Sequence, residues 1–573
     1  MEGFAGDGHG SNPRTPSVLS VLFLVTSFGL YLLASRARRG RRRRSRLPLP
    51  PGPPRLPIVG NLFNSPVHYS WLTHFQWKHT YGPVAYCEVG GRPTVVLTTA
   101  AAAHELLNKR AGNYSNRSFG YALSELVCRG YNMLFRQYDA RLRLHQRLHV
   151  HGLNPRSSAL YQPIQEMESL QLLNDLLAGG KPKPGRGCGS SSSGTGEEKQ
   201  MPSVVPLNPR WDFRRASASV MSLIVWGYRL EKGQPEAERE MDFFNRTSTL
   251  EVLSGPPWWI DTFPWLRHVP RCVSPWKRAG ERLHEREASH HVANFRRALG
   301  RPGYNVSKHV AGGLDRLLGA AGAAAACEAE RAFMAAELTL ANGDTSVAVL
   351  CWLVVAAMTH PRAMREARAE LDAAVGRARV PTYADRAAAP YVDAVIDEVM
   401  RWRPIIPSGM AHAAAEEDEF MGYRIPAGAA VVASQWAVTR DAGAFGGDAD
   451  DFRPERWLGE GGRDLPRTSF GYGRRLCPGR HVGRDGLWIA AARLLWAFDI
   501  EAPADPATGR GRAVDAMAMP PFGIVIDPEP FEAVFKPRGA WVEALVREGM
   551  ASVERDAGRI MEGIEAARAA GDG

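Results

Sequence analysis

The most informative part of this chain is the decapeptide Phe470-Gly471-Tyr472-Gly473-Arg474-Arg475-Leu476-Cys477-Pro478-Gly479, here called the cysteine loop. Gly471 and Gly473 allow backbone conformations and close approaches that a side chain would block. The apolar residues after the loop repeat at helical spacing, so Cys477 is predicted to lie at a helix N-terminus. The helix dipole and the adjacent arginines favour a thiolate over a thiol. The pattern therefore predicts a metal-ligand loop.

A single thiolate without a second cysteine or a ligand histidine nearby suits an axial ligand of haem iron. The alternative is a buried structural cysteine, which is the commoner role of a lone cysteine. A core cysteine, however, needs neither the glycines nor the arginines. Phe470, Gly473, Arg475, Cys477 and Gly479 match, position by position, the signature of the cytochrome P450 family of haem-thiolate monooxygenases. This resemblance implies that Cys477 binds the iron of haem b and that Phe470, Arg475 and Gly479 help to hold the cofactor.

Composition and charge exclude several other classes of protein. No repeat or second composition divides the middle of the 573 residues, so one large domain with appendages is expected. The seven cysteines are scattered and contain no C-x-x-C pair, which argues against a disulfide framework or a zinc site. Eight arginines between positions 36 and 46 account for most of the net charge of +11, which leaves 11 − 8 = +3 elsewhere. The charge is therefore local, and no nucleic-acid partner is expected.

The arginine run follows an apolar stretch that can cross a thin bilayer once. A cleaved signal peptide would have its basic residues before the apolar core, which is the reverse order. We expect a lumenal tail at 1–16, a single-pass transmembrane signal anchor at 17–35 and a basic, proline-rich hinge at 36–57. The positive-inside rule then predicts an endoplasmic reticulum membrane protein with a cytosolic catalytic domain.

The rest of the chain is predicted to form the haem-thiolate monooxygenase domain, at 58–540. A Gly/Ser-rich insertion at 179–200 cannot bury enough apolar surface to order itself, so we expect it to be flexible. Segments 81–84 and 93–97 are predicted strands, and helical patterns dominate after them. Residues 541–573 predict an amphipathic helix that docks on the domain. The resemblance implies the cytochrome P450 fold, which is mainly α with small β-sheets (α+β).

A second pattern, Leu340-Ala341-Asn342-Gly343-Asp344-Thr345-Ser346, places polar residues inside an apolar helical stretch at about 333–358. The apolar run after it is too short to span a bilayer, so a buried central helix is predicted. By itself the polar patch is equally consistent with a solvated helix turn. It resembles the oxygen-activating groove of cytochromes P450, which implies that Thr345 and Asp344 are catalytic and steer protons to dioxygen. Asn342 stands where the family usually has glycine.

A third pattern pairs Glu398 with Arg401 at positions i and i+3 of a predicted helix, where opposite charges face each other. Exposed pairs of this kind contribute less than about 1 kcal/mol, so the spacing alone is weak evidence. Together with Arg456, these residues resemble the buried triad that braces the cysteine loop in cytochromes P450. The resemblance implies a structural role for all three.

Haem has two propionates, which require cations or hydrogen-bond donors from the protein. Besides the arginine of the cysteine loop, the resemblance implies His412 as a contributor. Another contributor in the family belongs to a W-x-x-x-R pair, but Leu142 and Gln146 occupy those two positions here. Either Arg143, counted here among the haem-binding residues, or Arg147 replaces it, or the propionates are held more weakly than usual.

The resemblance covers roughly residues 48–540 and is strongest to microsomal members that act in fungal secondary metabolism. It implies insertion of one oxygen atom of dioxygen into a lipophilic small molecule, with electrons from NADPH through a flavoprotein reductase. The residues implied to line the substrate pocket are Phe333, Ala336, Ala341, Ile405, Ile406 and Phe522. Three arginines near the cysteine are candidates for electrostatic contact with an acidic partner, although exposed arginines are more often only solvated: Arg474, Arg480 and Arg484.

Three other functions remain open from the sequence. A nucleic-acid or anionic-lipid binder would depend on the arginine run. A haem-thiolate isomerase or dehydratase would use the same cysteine loop and need no reductase. A membrane-anchored haem carrier or electron-transfer protein would need the loop but not the groove. Substrate identity and regiochemistry depend on placement at the ångström scale, and the sequence does not predict them.

Overall fold

The structure is a computed structural model that describes residues 47–57, 60–89, 92–180, 205–245, 252, 258–325 and 327–571. The predicted lumenal tail, the transmembrane anchor and the basic part of the hinge lie outside the described residues. The same holds for the Gly/Ser-rich insertion beyond residue 180.

Helices form most of the described chain. The α-helices are, in order, α1 (Ser70–Tyr81), α2 (Ala100–Ala103), α3 (Ala140–Leu153), α4 (Pro155–Ala159), α5 (Gln162–Gly179), α6 (Arg210–Trp226), α7 (Pro235–Asn245), α8 (Trp259–Thr262), α9 (Pro275–Leu299), α10 (Val306–Ala325), α11 (Glu328–Thr359), α12 (Pro361–Ala374), α13 (Pro390–Trp402), α14 (Gln435–Val438), α15 (Ala442–Phe445), α16 (Gly459–Arg463), α17 (Arg480–Ala497), α18 (Ala540–Ser552) and α19 (Ala557–Gly571). Two π-helices lie at His104–Lys109 and Ala122–Val127. Short 3₁₀ turns lie at Pro264–His268, Arg271–Val273, Tyr383–Ala388, Pro454–Trp457 and Gly473–Arg475.

The strands of the described chain form small sheets beside these helices. They are β1 (Val84–Val89), β2 (Arg92–Leu97), β3 (Asn116–Arg117), β4 (His412–Ala413), β5 (Asp418–Phe420), β6 (Tyr423–Ile425), β7 (Ala430–Ala433), β8 (Phe498–Glu501) and β9 (Val534–Pro537). One five-stranded sheet has the order β1-β2-β7-β4-β3, in which only the β2–β7 pair is parallel. The pairs β5–β6 and β8–β9 are antiparallel. The predicted mainly α fold with small sheets is confirmed.

Helix α11 is the structural centre of the protein. It is 32 residues long and packs against α6, α9, α13 and α17. Its side chains include the fully buried Trp352 and Val354. Among the residues that the structure describes, it is the one helix long and apolar enough to span a membrane, and 67% of its most apolar segment is buried inside the protein. The predicted buried central helix is confirmed.

Of the strand predicted at 81–84 only Val84 lies in a strand, as the first residue of β1, whereas the one predicted at 93–97 lies within β2. Tyr81 is the last residue of α1, and Gly82 follows it with a φ of +86°. The N–H of Gly82 donates to the carbonyl oxygen of Lys78 at 3.2 Å, so the helix reaches this turn. The Gly-Pro signal therefore marks a helix end, and β1 begins only after it.

The C-terminal segment forms two helices, α18 and α19, rather than the single helix predicted for 541–573. The second helix starts after Asp556, whose carboxylate accepts the N–H of Arg559 at 2.8 Å. Both helices pack on the domain as predicted, because Val542 and Met561 are fully buried.

Candidate active site

The cysteine loop is shaped by its own backbone and by the neighbouring π-helix. Gly471 and Gly473 have φ angles of +87° and +50°, which residues with side chains rarely adopt. A Cβ on Gly473 would lie 2.3 Å from the carbonyl oxygen of Leu107, so this approach requires glycine. Cys477 closes the loop by donating its N–H to the carbonyl oxygen of Phe470 at 2.9 Å. Helix α17 begins three residues later, as predicted.

The surroundings of Cys477 do not favour a thiolate, which corrects the expectation from the sequence. Burial raises the pKa of the thiol, and the opposing effects of the Gly479 N–H and the Arg480 guanidinium are smaller. Arg474 and Arg475 point toward other parts of the chain and are not near enough to help. A metal cation bound to this sulfur would deprotonate it outright. Without a bound cation, burial therefore favours the thiol form, and a cationic ligand would favour the thiolate.

Arg475 is held by the chain that precedes α3. Its Nε donates to the carbonyl oxygen of Ser115 at 2.7 Å, its Nη1 to that of Met133 at 3.0 Å and its Nη2 to that of Arg136 at 2.5 Å. Carbonyl oxygens orient the guanidinium but do not neutralise its charge. Burial accordingly lowers the pKa of Arg475 to about 10.

Arg475 lies near His412, as predicted, and near Arg117, which the sequence analysis missed. Arg117 is 6% exposed and lies opposite His412 in the β3–β4 pair. Its Nη1 donates to the carbonyl oxygen of Ala411 at 3.2 Å, whereas its Nε has no partner among the described residues. His412 donates from Nδ1 to the carbonyl oxygen of Tyr114 at 2.7 Å. We call Arg117, His412 and Arg475 the cation cluster.

Each member of the cation cluster is close enough to another member for their charged forms to disfavour each other. Burial and then the charge of Arg475 lower the pKa of Arg117 to about 9, and burial and then both arginines lower that of His412 to about 3. Among the residues that the structure describes, no carboxylate pairs with either arginine. Buried charges without a counter-charge are costly, so the cluster fits an anionic group. Cys477 for the iron and the cation cluster for the two propionates therefore fit haem b.

Helix α3 does not add Arg143 or Arg147 to the cation cluster. Both side chains are exposed, whereas Leu142, at the family's tryptophan position, is fully buried. Gln146, at the arginine position, donates from Nε2 to the carbonyl oxygen of Arg474 at 2.8 Å. Successive residues of a helix are turned by about 100°, so the arginines one step beyond these positions face away from the core. The second arginine of the cluster comes from strand β3 instead.

The predicted catalytic residues lie in the middle of α11, which continues through the polar patch without a break. The carboxylate of Asp344 pairs with the guanidinium of Arg214 on α6. Thr345 donates from Oγ1 to the carbonyl oxygen of Ala341 at 2.8 Å. Ala341 is exposed although its helix is the centre of the core, so α11 faces open space here. An acid and a hydroxyl thus lie together at an accessible part of the central helix.

Asn342, which stands at the family's glycine position, forms hydrogen bonds to α6. Its Nδ2 donates to Oγ of Ser217 at 2.7 Å, and its Oδ1 accepts from Oγ of Ser346 at 2.8 Å. The hydroxyl of Ser217 also donates to the Asn342 carbonyl oxygen at 3.2 Å. These residues line a cavity of about 60 Å³ among α5, α6, α11 and α17. The departure from glycine therefore ties α11 to α6.

The structure brings Glu398, Arg401 and Arg456 together in the core, where each side chain is at most 2% exposed. Arg401 donates to both carboxylate oxygens of Glu398 at 2.8 Å, and Arg456 donates from Nε at 3.1 Å. The indole N–H of Trp457 and the backbone N–H of Arg453 add hydrogen bonds of 2.9 and 2.7 Å. Glu398 therefore has five donors around a fully buried charge.

The helix that carries this triad, α13, also holds both ends of the cysteine loop. Asp397, the neighbour of Glu398, accepts from Arg467 just before the loop at 3.2 Å. It pairs with Arg484 just after the loop at 3.0 Å, and Arg484 also contacts Asp393. Arg484 is therefore a bracing residue, which corrects the expectation that it meets a partner protein.

The residues predicted to line the pocket lie at different depths. Phe333 and Ala336 are buried, and the Phe333 ring lies 5.8 Å from that of Tyr131 and 5.7 Å from that of His284. Phe522 is 53% exposed, which places it at the surface rather than with the buried members. The others, half-buried or exposed, are Ala341, Ile405 and Ile406.

Comparison with known proteins agrees with this geometry. The profile of the cytochrome P450 family matches residues 50–512. Cytochrome P450 monooxygenase aneD of Aspergillus aculeatus is 34% identical over 519 residues, which cover 90% of this chain and 93% of its own. Two others are 32% identical: drtD of Aspergillus calidoustus, over 90% of this chain and 91% of its own, and FrzL of Cladobotryum sp, over 88% and 90%. With most of its length matched in this way, the chain belongs to the cytochrome P450 family.

Proposed function

We propose that this cytochrome P450 inserts one oxygen atom of dioxygen into a lipophilic small molecule of secondary metabolism. The observation that carries the proposal is the Asp344–Arg214 pair beside Thr345, because a protein that only held haem would need no proton donors on its central helix. Haem, when bound, supplies dioxygen binding and O–O cleavage assisted by the thiolate. NADPH would supply the electrons through a flavoprotein reductase, and the exposed Arg474 offers an acidic partner a docking point.

Asp344 and Thr345 are arranged to hold and pass protons. Arg214 fixes the carboxylate of Asp344, whose side chain is still 23% exposed and so exchanges protons with solvent. Thr345 uses its hydroxyl hydrogen on the Ala341 carbonyl oxygen, so its Oγ1 lone pairs can accept a hydrogen bond from an entering water. Together the two residues form a short route between solvent and the open side of α11.

The two other functions that use haem differ from this one in whether they consume NADPH and dioxygen. An isomerase or dehydratase would convert its substrate without NADPH, and a haem carrier would convert nothing. We would incubate the protein and a reductase with isotopically labelled dioxygen and the lipophilic extract of a strain that lacks its gene. NADPH-dependent incorporation of label supports the proposal. Conversion without NADPH or label would refute it.

Asp344→Asn is expected to slow product formation by roughly 100-fold, because the amide can neither pass a proton nor balance Arg214. Thr345→Ala is expected to divert consumed NADPH into hydrogen peroxide. Both variants should keep the haem spectrum of the wild type. Product, NADPH and peroxide are measured in the same reaction.

Ser346→Ala is the matched control for these two variants. It removes a hydroxyl from the same turn of α11. That hydroxyl donates to Oδ1 of Asn342, whereas the hydroxyl of Thr345 donates to the carbonyl oxygen of Ala341. The control should couple NADPH to product as the wild type does. Equal uncoupling in Ser346→Ala and Thr345→Ala would show that helix packing, and not proton delivery, is the cause.

We also propose that the protein is attached to the endoplasmic reticulum membrane with its catalytic domain in the cytosol. An exposed apolar patch supports this placement, because part of it lies at the end of the predicted hinge and just after it, and apolar patches mark interaction surfaces. The patch consists of Leu56, Phe63, Val67 and Phe522, which are 51 to 78% exposed. Its two parts meet where the His68 and Phe522 rings lie 6.0 Å apart.

The full chain should stay with microsomes after alkaline carbonate extraction, whereas a chain that begins at Pro48 should be released. At neutral pH the shortened chain should still bind microsomes through the patch. Phe63→Asp with Val67→Asp should abolish that residual binding, because each acid removes an apolar contact. Release of the full chain by carbonate would refute the anchor, and binding of the doubly substituted short chain would refute the role of the patch.

A further inference from the structure

A buried carboxyl on α11 lies outside the residues discussed so far. Glu337, two helical turns before Asp344, is 7% exposed. Its Oε2 accepts the backbone N–H of Met133 at 2.8 Å, and its Oε1 lies 3.3 Å from Nδ1 of His149 on α3. Neither Oε1 nor this Nδ1 has a hydrogen-bond partner among the described residues. The two side chains therefore face each other at the junction of α11, α3 and the loop before α3.

The hydrogen bonds of His149 fix the position of its proton. Its Nε2 lies 2.9 Å from the carbonyl oxygen of Met334, and a carbonyl only accepts, so Nε2 carries the hydrogen. Burial lowers the pKa of His149 to about 4, so the ring is neutral and Nδ1 presents a lone pair to Glu337. A carboxylate facing that lone pair is repelled, whereas a carboxylic acid can donate to it. Burial raises the pKa of Glu337 to about 8, which agrees with the protonated form at neutral pH.

Met133 connects this pair to the cation cluster. The N–H of Met133 is held by Glu337, and its carbonyl oxygen accepts from Nη1 of Arg475 at 3.0 Å. Two hydrogen bonds on one residue therefore lead from the central helix to the loop arginine that suits a propionate. If Met133 moved, Arg475 would lose one of its three carbonyl partners.

We propose that Glu337 is a positioning residue for haem: as a neutral acid it donates to His149, accepts from Met133, and so holds Arg475 in place. The role concerns cofactor retention and does not depend on which reaction the protein catalyses. Other titratable groups near His149 are His145 on the same helix and His309 on α10.

Glu330 provides the contrast on the same helix. It lies two turns before Glu337 and also faces α3, but it accepts from Arg141 at 2.6 Å and from His145 at 3.0 Å. Burial raises its pKa, but these two partners outweigh burial and lower it to about 2. Glu330 is therefore a charged partner of α3, and its hydrogen bonds do not lead to the cation cluster.

Three variants of the haem-loaded full chain test the proposal. Glu337→Leu is expected to speed haem transfer to apomyoglobin about tenfold, as loss of an outer-shell partner commonly does, and to speed hydrogen exchange at Met133. Glu337→Gln keeps a donor for His149 and an acceptor for Met133, so it should stay close to the wild type. Glu330→Gln, the matched control, should lower thermal stability and leave haem transfer unchanged.

If Glu337→Leu and Glu330→Gln sped haem transfer equally, the proposal would be overturned, because both substitutions would then act through general packing. Haem loss from Glu337→Gln as fast as from Glu337→Leu would overturn it too, because a charge would be required. If the leucine variant does not fold, infrared spectroscopy provides the test. The carbonyl band of a protonated carboxyl should be present in the wild type at neutral pH and missing in Glu337→Gln, and its absence from the wild type would overturn the proposal.

Discussion

Replacing Cys477 with alanine is expected to abolish the thiolate-type absorbance of the reduced, carbon monoxide-bound protein and all product formation. The cysteine loop offers no second sulfur, and within the described chain no group of three or more His, Cys, Asp or Glu side chains could hold a metal ion. The fold should survive, because the loop is closed by backbone hydrogen bonds and braced by Asp397 rather than by the sulfur. Difference spectra and far-UV circular dichroism measure the two effects.

The same substitution should change how haem affinity depends on pH. Burial raises the pKa of the Cys477 thiol, so at neutral pH the sulfur is protonated and must release its proton when iron binds. Affinity for ferric haem should therefore rise with pH below the ordinary thiol pKa of about 8.5, by about tenfold per pH unit for one proton. Protons taken up by His412 beside a propionate are common to both proteins. The slope of haem affinity against pH should therefore differ between the wild type and Cys477→Ala only by the contribution of the Cys477 thiol.

Cys87→Ala provides the control for this experiment. Cys87 is also buried, on β1, and burial raises its pKa to about 11, but it packs with Trp77 and Val96 in a cluster that contains no residue of the cysteine loop. Its loss should leave unchanged both the carbon monoxide difference spectrum and the slope of haem affinity against pH. A wild-type slope equal to that of Cys477→Ala would mean that the sulfur binds as a thiol or not at all.

Sequence reasoning succeeds here where the signal is local. The spacing of apolar residues predicts α11 and α17, because burying one face of a helix constrains neighbouring residues of the chain. The i and i+3 spacing likewise brings Glu398 to Arg401. The break between α18 and α19 also has a local signal that was missed, since Asp556 is a typical N-cap residue.

Sequence reasoning fails where a contact joins distant segments. Arg117 enters the cation cluster only because β3 pairs with β4, which places it opposite a residue 295 positions later, at 412. Nothing near Arg117 in the chain indicates that register. The loop arginines show the converse, because closeness in sequence does not make them contact the cysteine. Arg474 and Arg475 are neighbours of the cysteine in sequence, but their side chains extend toward the region before α3 and leave the sulfur to Arg480.

Glu398→Ala is expected to lower the free energy of unfolding by about 3–5 kcal/mol, because it leaves Arg401 and Arg456 buried without their counter-charge. Whole proteins are typically stable by only about 5–15 kcal/mol, so this loss would remove a large share of the total stability. Urea unfolding followed by circular dichroism gives the change. Haem absorbance in the same samples shows whether the cysteine loop is lost together with the fold.

Glu236 and Arg239 form the matched control, because they are the same residue types at the same i and i+3 spacing and lie on the exposed face of α7. Their side chains are 47% and 65% exposed, against 0% and 2% for Glu398 and Arg401. Water screens the exposed pair, so Glu236→Ala should cost less than about 1 kcal/mol. Because chemistry and spacing are equal, any larger loss at Glu398 measures burial and the extra donors around it. Equal losses at the two sites would mean that the triad contributes no more than a surface ion pair.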